Sequence, residues 1–191
     1  MTIAVLAVQG DFAEHEAVLE RLGADHVELR CKEDLDQDYD GLILPGGEST
    51  VQGKLLKDLD MLDKLKEQIE GGLPVLATCA GLILLAENIE GSEESHLATL
   101  PVTVRRNAYG RQLGSFHAED EVKGIGTVPM TFIRAPFITG AKDGAEIIAY
   151  TGGNAVGVKY KNQLAFAFHP ELDSDGQIYN MFLDQISAFS I

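Results

Sequence analysis

Three side chains in this sequence have the types needed for covalent catalysis: the thiol of Cys79, the imidazole of His169 and the carboxylate of Glu171. Cys79 lies in Thr78-Cys79-Ala80-Gly81-Leu82, between the apolar run Pro74 to Ala77 and a second run from Leu82 to Ala86. A buried strand is expected to turn sharply into a helix there. At such a junction the thiol stands clear of the sheet, and the free N–H groups of the helix's first turn favour an anion beside them. Thiolate is the reactive form. The small residues around Cys79 suit the mechanics of a nucleophile elbow. The competing account is a buried, inert cysteine, the commoner fate of a free thiol.

His169-Pro170-Glu171 closes the apolar run Leu164 to Phe168. Pro170 disfavours helix at His169 and keeps the chain extended, so residues 169 and 171 project to the same side. Glu171 can then fix the tautomer of an imidazole, leaving the other ring nitrogen to face a nucleophile. Cys79, His169 and Glu171 thus supply the nucleophile, base and orienting acid of a thiol triad, although an isolated His-Pro-Glu is more often a surface turn. His117, with Glu119 two positions on, is the alternate base; His15 lies in an amphipathic helix.

Pro45-Gly46-Gly47-Glu48-Ser49-Thr50 follows the apolar run Gly41 to Leu44. In open α/β sheets, loops at the carboxyl ends of strands bind ligands, and paired glycines can aim a backbone N–H into a pocket. A plain tight turn capped by Ser49 explains the same residues. A phosphate loop is excluded because Lys54 is followed by Leu55 rather than Ser or Thr.

Stepping outward from these residues, Ile3 to Val8 is a strand-length apolar run of the kind covered on both faces, followed by Phe12, His15, Val18, Leu19 and Leu22 at helical spacing and a closing Gly23. Val27 to Cys31 alternates as an edge strand does, and Leu55 to Ile69 carries leucines at spacings of three and four, one helix or two. A helix is expected from Cys79 to near Ile89, and another from about Ser174 to Phe189. Strands are expected at Val102 to Arg106, Met130 to Ile133, Glu146 to Tyr150 and Ala155 to Tyr160, with a hairpin at Lys161-Asn162. The whole is an α/β chain with an open, mostly parallel, doubly wound sheet flanked by helices and a more antiparallel second half.

A chain of 191 residues fits a single domain, 1–191. Thirty acidic against 15 basic residues give a net charge of −15, which excludes a nucleic-acid partner that needs clustered Lys and Arg. No apolar run is long enough for a bilayer. The opening segment, without a basic flank or cleavage site, is taken as the first strand rather than a signal peptide. Cys31 and Cys79 make neither a disulfide framework nor a zinc spacing, so a reducing cytoplasm is the expected compartment.

Taken together, Leu44-Pro45-Gly46-Gly47-Glu48-Ser49-Thr50, Thr78-Cys79-Ala80-Gly81-Leu82, Arg106-Asn107-Ala108-Tyr109-Gly110-Arg111, Phe132-Ile133-Arg134-Ala135-Pro136 and Phe168-His169-Pro170-Glu171-Leu172 resemble the class I, triad-type glutamine amidotransferases, and within them the glutaminase subunits of pyridoxal 5′-phosphate synthases. The resemblance implies a flavodoxin-like fold and hydrolysis of L-glutamine to glutamate and ammonia. It places the nucleophile on Cys79, the base on His169 and the orienting acid on Glu171. Oxyanion donors fall on the backbone N–H groups of Gly47 and Ala80, and glutamine contacts on Gly46, Gly47, Glu48, Arg106, Ile133 and Arg134. It implies no cofactor and no metal, and a hetero-oligomeric partner, a ring-shaped synthase that takes up the ammonia. Ala77 departs from the Gly that many relatives carry before Thr-Cys. Two alternatives stay open: the glutaminase of imidazole glycerol phosphate synthesis, against which Phe132 to Pro136 speaks, and a non-enzymatic protein on the related cysteine-elbow fold.

Overall fold

A computed structural model describes residues 1–108 and 114–189. The amino-terminal half alternates strand and helix: β1 (Thr2–Leu6), α1 (Phe12–Arg21), β2 (Asp25–Leu29), β3 (Gly41–Leu44), α2 (Ser49–Asp58), α3 (Leu62–Glu70), β4 (Val75–Thr78) and α4 (Ala80–Leu85). The remainder is strand-rich: β5 (Ala86–Ile89), β6 (Leu100–Arg105), β7 (Ser115–Val122), β8 (Gly126–Ile133), β9 (Phe137–Ala141), β10 (Glu146–Thr151), β11 (Asn154–Tyr160) and β12 (Gln163–Phe166), closed by α5 (Gln177–Phe189).

The strands join in the order β2-β1-β3-β4-β12-β11-β10-β7-β8, with β5, β6 and β9 branching from this path. From β2 to β12 every pairing is parallel, and from β12 onward along that path every pairing is antiparallel. Strands β3, β4 and β12 are buried at every residue, which is why they consist almost wholly of Leu, Ile, Val, Ala and Phe. The edge position expected for the alternating second strand is the one β2 occupies.

Two features of this order make the site. After β1 the chain leaves toward β2, whereas after β3 it leaves toward β4, so the two exits diverge and open a crevice between them. Strands β4 and β12 lie side by side with Thr78 opposite Phe166, so whatever follows each strand emerges at the same sheet edge.

Some expectations needed correction. The helix after Cys79 stops at Leu85, not near Ile89, because Ala86–Ile89 pairs with β6 as a parallel strand, a tertiary contact that overrides local propensity. Ser49 does not cap α2: it is the helix's first residue, after Glu48, and no side chain caps that end. Of the one or two helices expected in the leucine-rich segment, two form, parted by Asp60 at φ 54°. The last helix starts at Gln177 rather than Ser174. No helix among the described residues is long and apolar enough to cross a membrane.

Candidate active site

Cys79 stands between β4 and α4 with φ 46° and ψ −102°, a backbone conformation that costs a non-glycine residue about 1–3 kcal/mol. The surrounding structure holds it there. Its N–H donates to Phe166 O at 2.8 Å, tying it to β12, and α4 behind it is buried at all six residues. The strained elbow turns the sulfur out of the sheet, 3.9 Å from the carbonyl oxygen of Ile133.

His169 arrives from the neighbouring strand, three residues beyond the end of β12. Its N–H donates to Thr131 O at 2.8 Å, and Pro170 starts a single turn of tight helix that carries Glu171 underneath the imidazole. Nδ1 of His169 and Oε1 of Glu171 are 2.6 Å apart, both side chains being almost fully buried. With the carboxylate as acceptor, Nδ1 is the donor. Nε2 is left buried with no hydrogen-bond partner, the nitrogen free to exchange a proton with the thiol. The Cys79 side chain acts on this ring both as a hydrogen-bonding partner and through its charge.

Burial opposes charge on the His169 ring, but Cys79 and Glu171 together outweigh it and raise its pKa to about 10. Burial likewise works against ionisation of Glu171, and the nearby His15 and His169 outweigh it, holding the carboxyl below its ordinary range. Asp11 lies 3.6 Å from Nδ1 of His169; its own pKa is raised by burial, with His169 pulling the other way. Asp11, His169 and Glu171 gather enough ligand atoms to hold a cation, but Glu171 already occupies Nδ1 at hydrogen-bond distance, so the arrangement suits proton handling better than metal binding.

A cleft of about 760 Å³ opens over these groups. Of the residues singled out from sequence, Gly47, Glu48, Cys79, Arg106, Ile133, Arg134 and His169 line it, and Gly46, Ala80 and Glu171 sit behind its wall. The alternate base is elsewhere: His117 is exposed, bonded to Thr131 at 3.0 Å, and does not line the cleft. Within Arg106 to Arg111, residues 109–111 lie outside the described residues. Arg105, Arg106 and Arg134 also bring cations to the lining; Arg105 is paired with Glu90 at 2.6 Å, and Arg134 stands 3.8 Å from Glu48 in an exposed pair that contributes little to stability.

The glycine loop sits close against the base. A Cβ on Gly46 would lie 2.5 Å from His169 Cε1 and 2.9 Å from Asp11 Oδ2, so no side chain fits. Gly47 has φ 148°, open to glycine. Gly46→Ala is expected to push the imidazole aside and slow alkylation of Cys79 by iodoacetamide about tenfold or more, with the circular dichroism spectrum retained. An unchanged alkylation rate would show that ring and loop have room to spare.

Sequence reasoning missed the clamp on this loop. Gln52, buried on α2, donates from Nε2 to the carbonyl oxygens of Gln9 at 3.0 Å and Pro45 at 3.2 Å, while Gln9 Oε1 accepts from the N–H of Glu48 at 2.9 Å. Its partners are backbone groups from two other segments, and a lone Gln in a helix gives no local signal of that.

A sequence profile described as the SNO glutamine amidotransferase family matches residues 5–188. The pyridoxal 5′-phosphate synthase subunit PdxT of Desulfitobacterium hafniense strain Y51 is 59% identical over 187 residues, 98% of this chain and 94% of that protein. The same subunit of Streptococcus pneumoniae is 53% identical, over 96% of this chain and 97% of its own length. A crystal structure of a glutamine amidotransferase superposes with a TM-score of 0.92 at 42% identity, covering 97% of this chain and 98% of the other. With a match that runs almost from end to end and relatives above half identity, this chain belongs to the SNO glutamine amidotransferase family.

Proposed function

We propose that this chain is a single glutaminase domain that hydrolyses L-glutamine to L-glutamate and ammonia with Cys79, His169 and Glu171. The ammonia passes to a pyridoxal 5′-phosphate synthase subunit in a cytoplasmic hetero-oligomer, a ring-shaped one. The observation that carries the reaction is the convergence of sulfur, imidazole and carboxylate at the shared end of β4 and β12, with the His169 ring bonded through Nδ1 to the acid and its Nε2 left for the nucleophile. The identity of the partner rests on the relatives' names.

The chemistry follows from that geometry. Sulfur, having given its proton to Nε2 of His169, attacks the side-chain amide carbon of glutamine. The carbonyl oxygen takes up negative charge and is met by the N–H groups of Gly47 and Ala80. Collapse breaks the C–N bond, His169 gives its proton to the departing nitrogen, and ammonia leaves a thioester on Cys79. Water, deprotonated by the same nitrogen, then attacks the thioester; glutamate leaves and the thiol is restored. Glu171 keeps Nδ1 the donor throughout and offsets the charge on the ring. Arg106 suits the α-carboxylate of glutamine and Glu48 its α-ammonium, with Gly46, Gly47, Ile133 and Arg134 completing the contacts.

A glutamine analogue with a diazoketone in place of the side-chain amide tests this reading. It is expected to add to Cys79 and not to Cys31, read by peptide mass, and excess L-glutamine should protect. Labelling that ignores glutamine, or that falls equally on both thiols, would sink it.

A further inference from the structure

His15 is the most deeply buried histidine among the described residues, and the triad does not include it. It stands on the inner face of α1 and meets three other segments. Nδ1 lies 2.7 Å from the hydroxyl of Tyr179 on α5. Nε2 lies 3.1 Å from Oγ1 of Thr78, the residue before the nucleophile, and 3.6 Å from Oε2 of Glu171. One ring therefore spans the strand end that carries Cys79 and the turn that carries the acid.

Its neighbours decide which nitrogen holds the proton. Burial, and then the charge of Glu171, raise the pKa of Tyr179 well above its ordinary value, so the phenol keeps its proton and donates it to Nδ1. Burial lowers the pKa of His15 against the pull of Glu171, so the ring is neutral and its single N–H is at Nε2. That N–H faces Thr78 and Glu171 Oε2. Oε2 is buried and has no hydrogen-bond partner, because the bond to His169 is made by Oε1. A buried carboxylate oxygen in that state is costly unless a dipole is aimed at it.

We propose that His15 is a positioning residue for Cys79, His169 and Glu171: its Nε2–H, oriented by Tyr179, holds the Glu171 carboxylate in line with His169 and ties it to the strand end that bears the thiol. This rests on the triad reading given above. The other titratable groups facing His15 and Glu171 are Asp11 and Glu14 of α1, Tyr179 and His169, with Cys79 beyond His169 and Arg21 acting on Tyr179. All remain in His15→Phe.

The test is the pH dependence of iodoacetamide alkylation at Cys79, followed by peptide mass so that Cys31 is counted separately, together with kcat and KM for glutamine with the synthase subunit present. Without His15 the Glu171 carboxylate is easier to protonate, so the acid limb of alkylation in His15→Phe moves to higher pH, by about one unit. Turnover falls about tenfold with KM little changed. His15→Gln, which can accept from Tyr179 and donate toward Glu171, restores most of both. An acid limb that stays in place in a folded His15→Phe protein overturns the proposal. Should that variant fail to fold, Tyr179→Phe, which removes only the orienting hydroxyl, takes its place: a smaller shift in the same direction supports the proposal and an unmoved limb overturns it. Glu171→Gln, run alongside, separates the two readings. If it turns over glutamine normally, the triad itself is wrong; if it fails while His15→Phe is normal, only the role of His15 is lost.

Discussion

Cys79→Ala is expected to end glutamine-dependent ammonia release, a loss of about 10⁴-fold or more in the presence of the synthase subunit, because no other group in the cleft can form the thioester. The variant keeps its fold. Alanine occupies the same backbone, and the sulfur's contact with Ile133 O is a weak one at 3.9 Å. Thermal unfolding within a few degrees of the parent, with activity gone, is the expected pair of results. Retained turnover would mean that the ammonia comes from a different attack on glutamine, and the mechanism above would be abandoned.

Glu171→Gln is expected to lower kcat by about 10²–10⁴-fold while KM for glutamine changes little, since Glu171 is buried and is not among the residues that line the cleft. The amide can serve His169 in two ways, and both fail. If its NH₂ faces Nδ1, that nitrogen becomes an acceptor, Nε2 carries the hydrogen, and the ring can no longer take a proton from sulfur. If its oxygen faces Nδ1, the tautomer survives but the charge that helps raise the ring to about pKa 10 is gone. The sign is fixed: with the anion removed, the His169 pKa falls, and the imidazolium form of the ring is lost at a lower pH than in the parent. A titration of the His169 ring by NMR checks this, and a pKa unmoved by the substitution would remove Glu171 from its role.

The proposed nucleophile Cys79 and base His169 were legible because each follows an apolar run with a type that such runs seldom end on. Gly41–Leu44 could be placed from its four apolar residues and the glycines beyond, and the turn at Lys161-Asn162 from the alternation on either side. Strand β7 was not recognised. Its Ser115–Val122 sequence carries His117, Glu119 and Glu121 on the exposed face and an acidic Asp120 on the other, so the alternating burial in the folded sheet is what shows its period. Strand β5 was hidden for a different reason, as four residues running straight on from a helix whose pairing partner lies beyond a loop. The second layer of the site is the hardest to see from sequence. Helical spacing put His15 in an amphipathic helix, but its partners are residues 78, 171 and 179, and no local pattern links those positions.

The pairing of Val75–Thr78 with Gln163–Phe166 also bears on how the protein is made. A ribosome has synthesised the sulfur and its elbow long before the base exists, and the elbow's anchor, Phe166 O, comes late as well. Contacts this distant along the chain form slowly, after local structure. A nascent or truncated copy ending before residue 166 thus has the thiol but neither the anchor of its elbow nor the imidazole of His169.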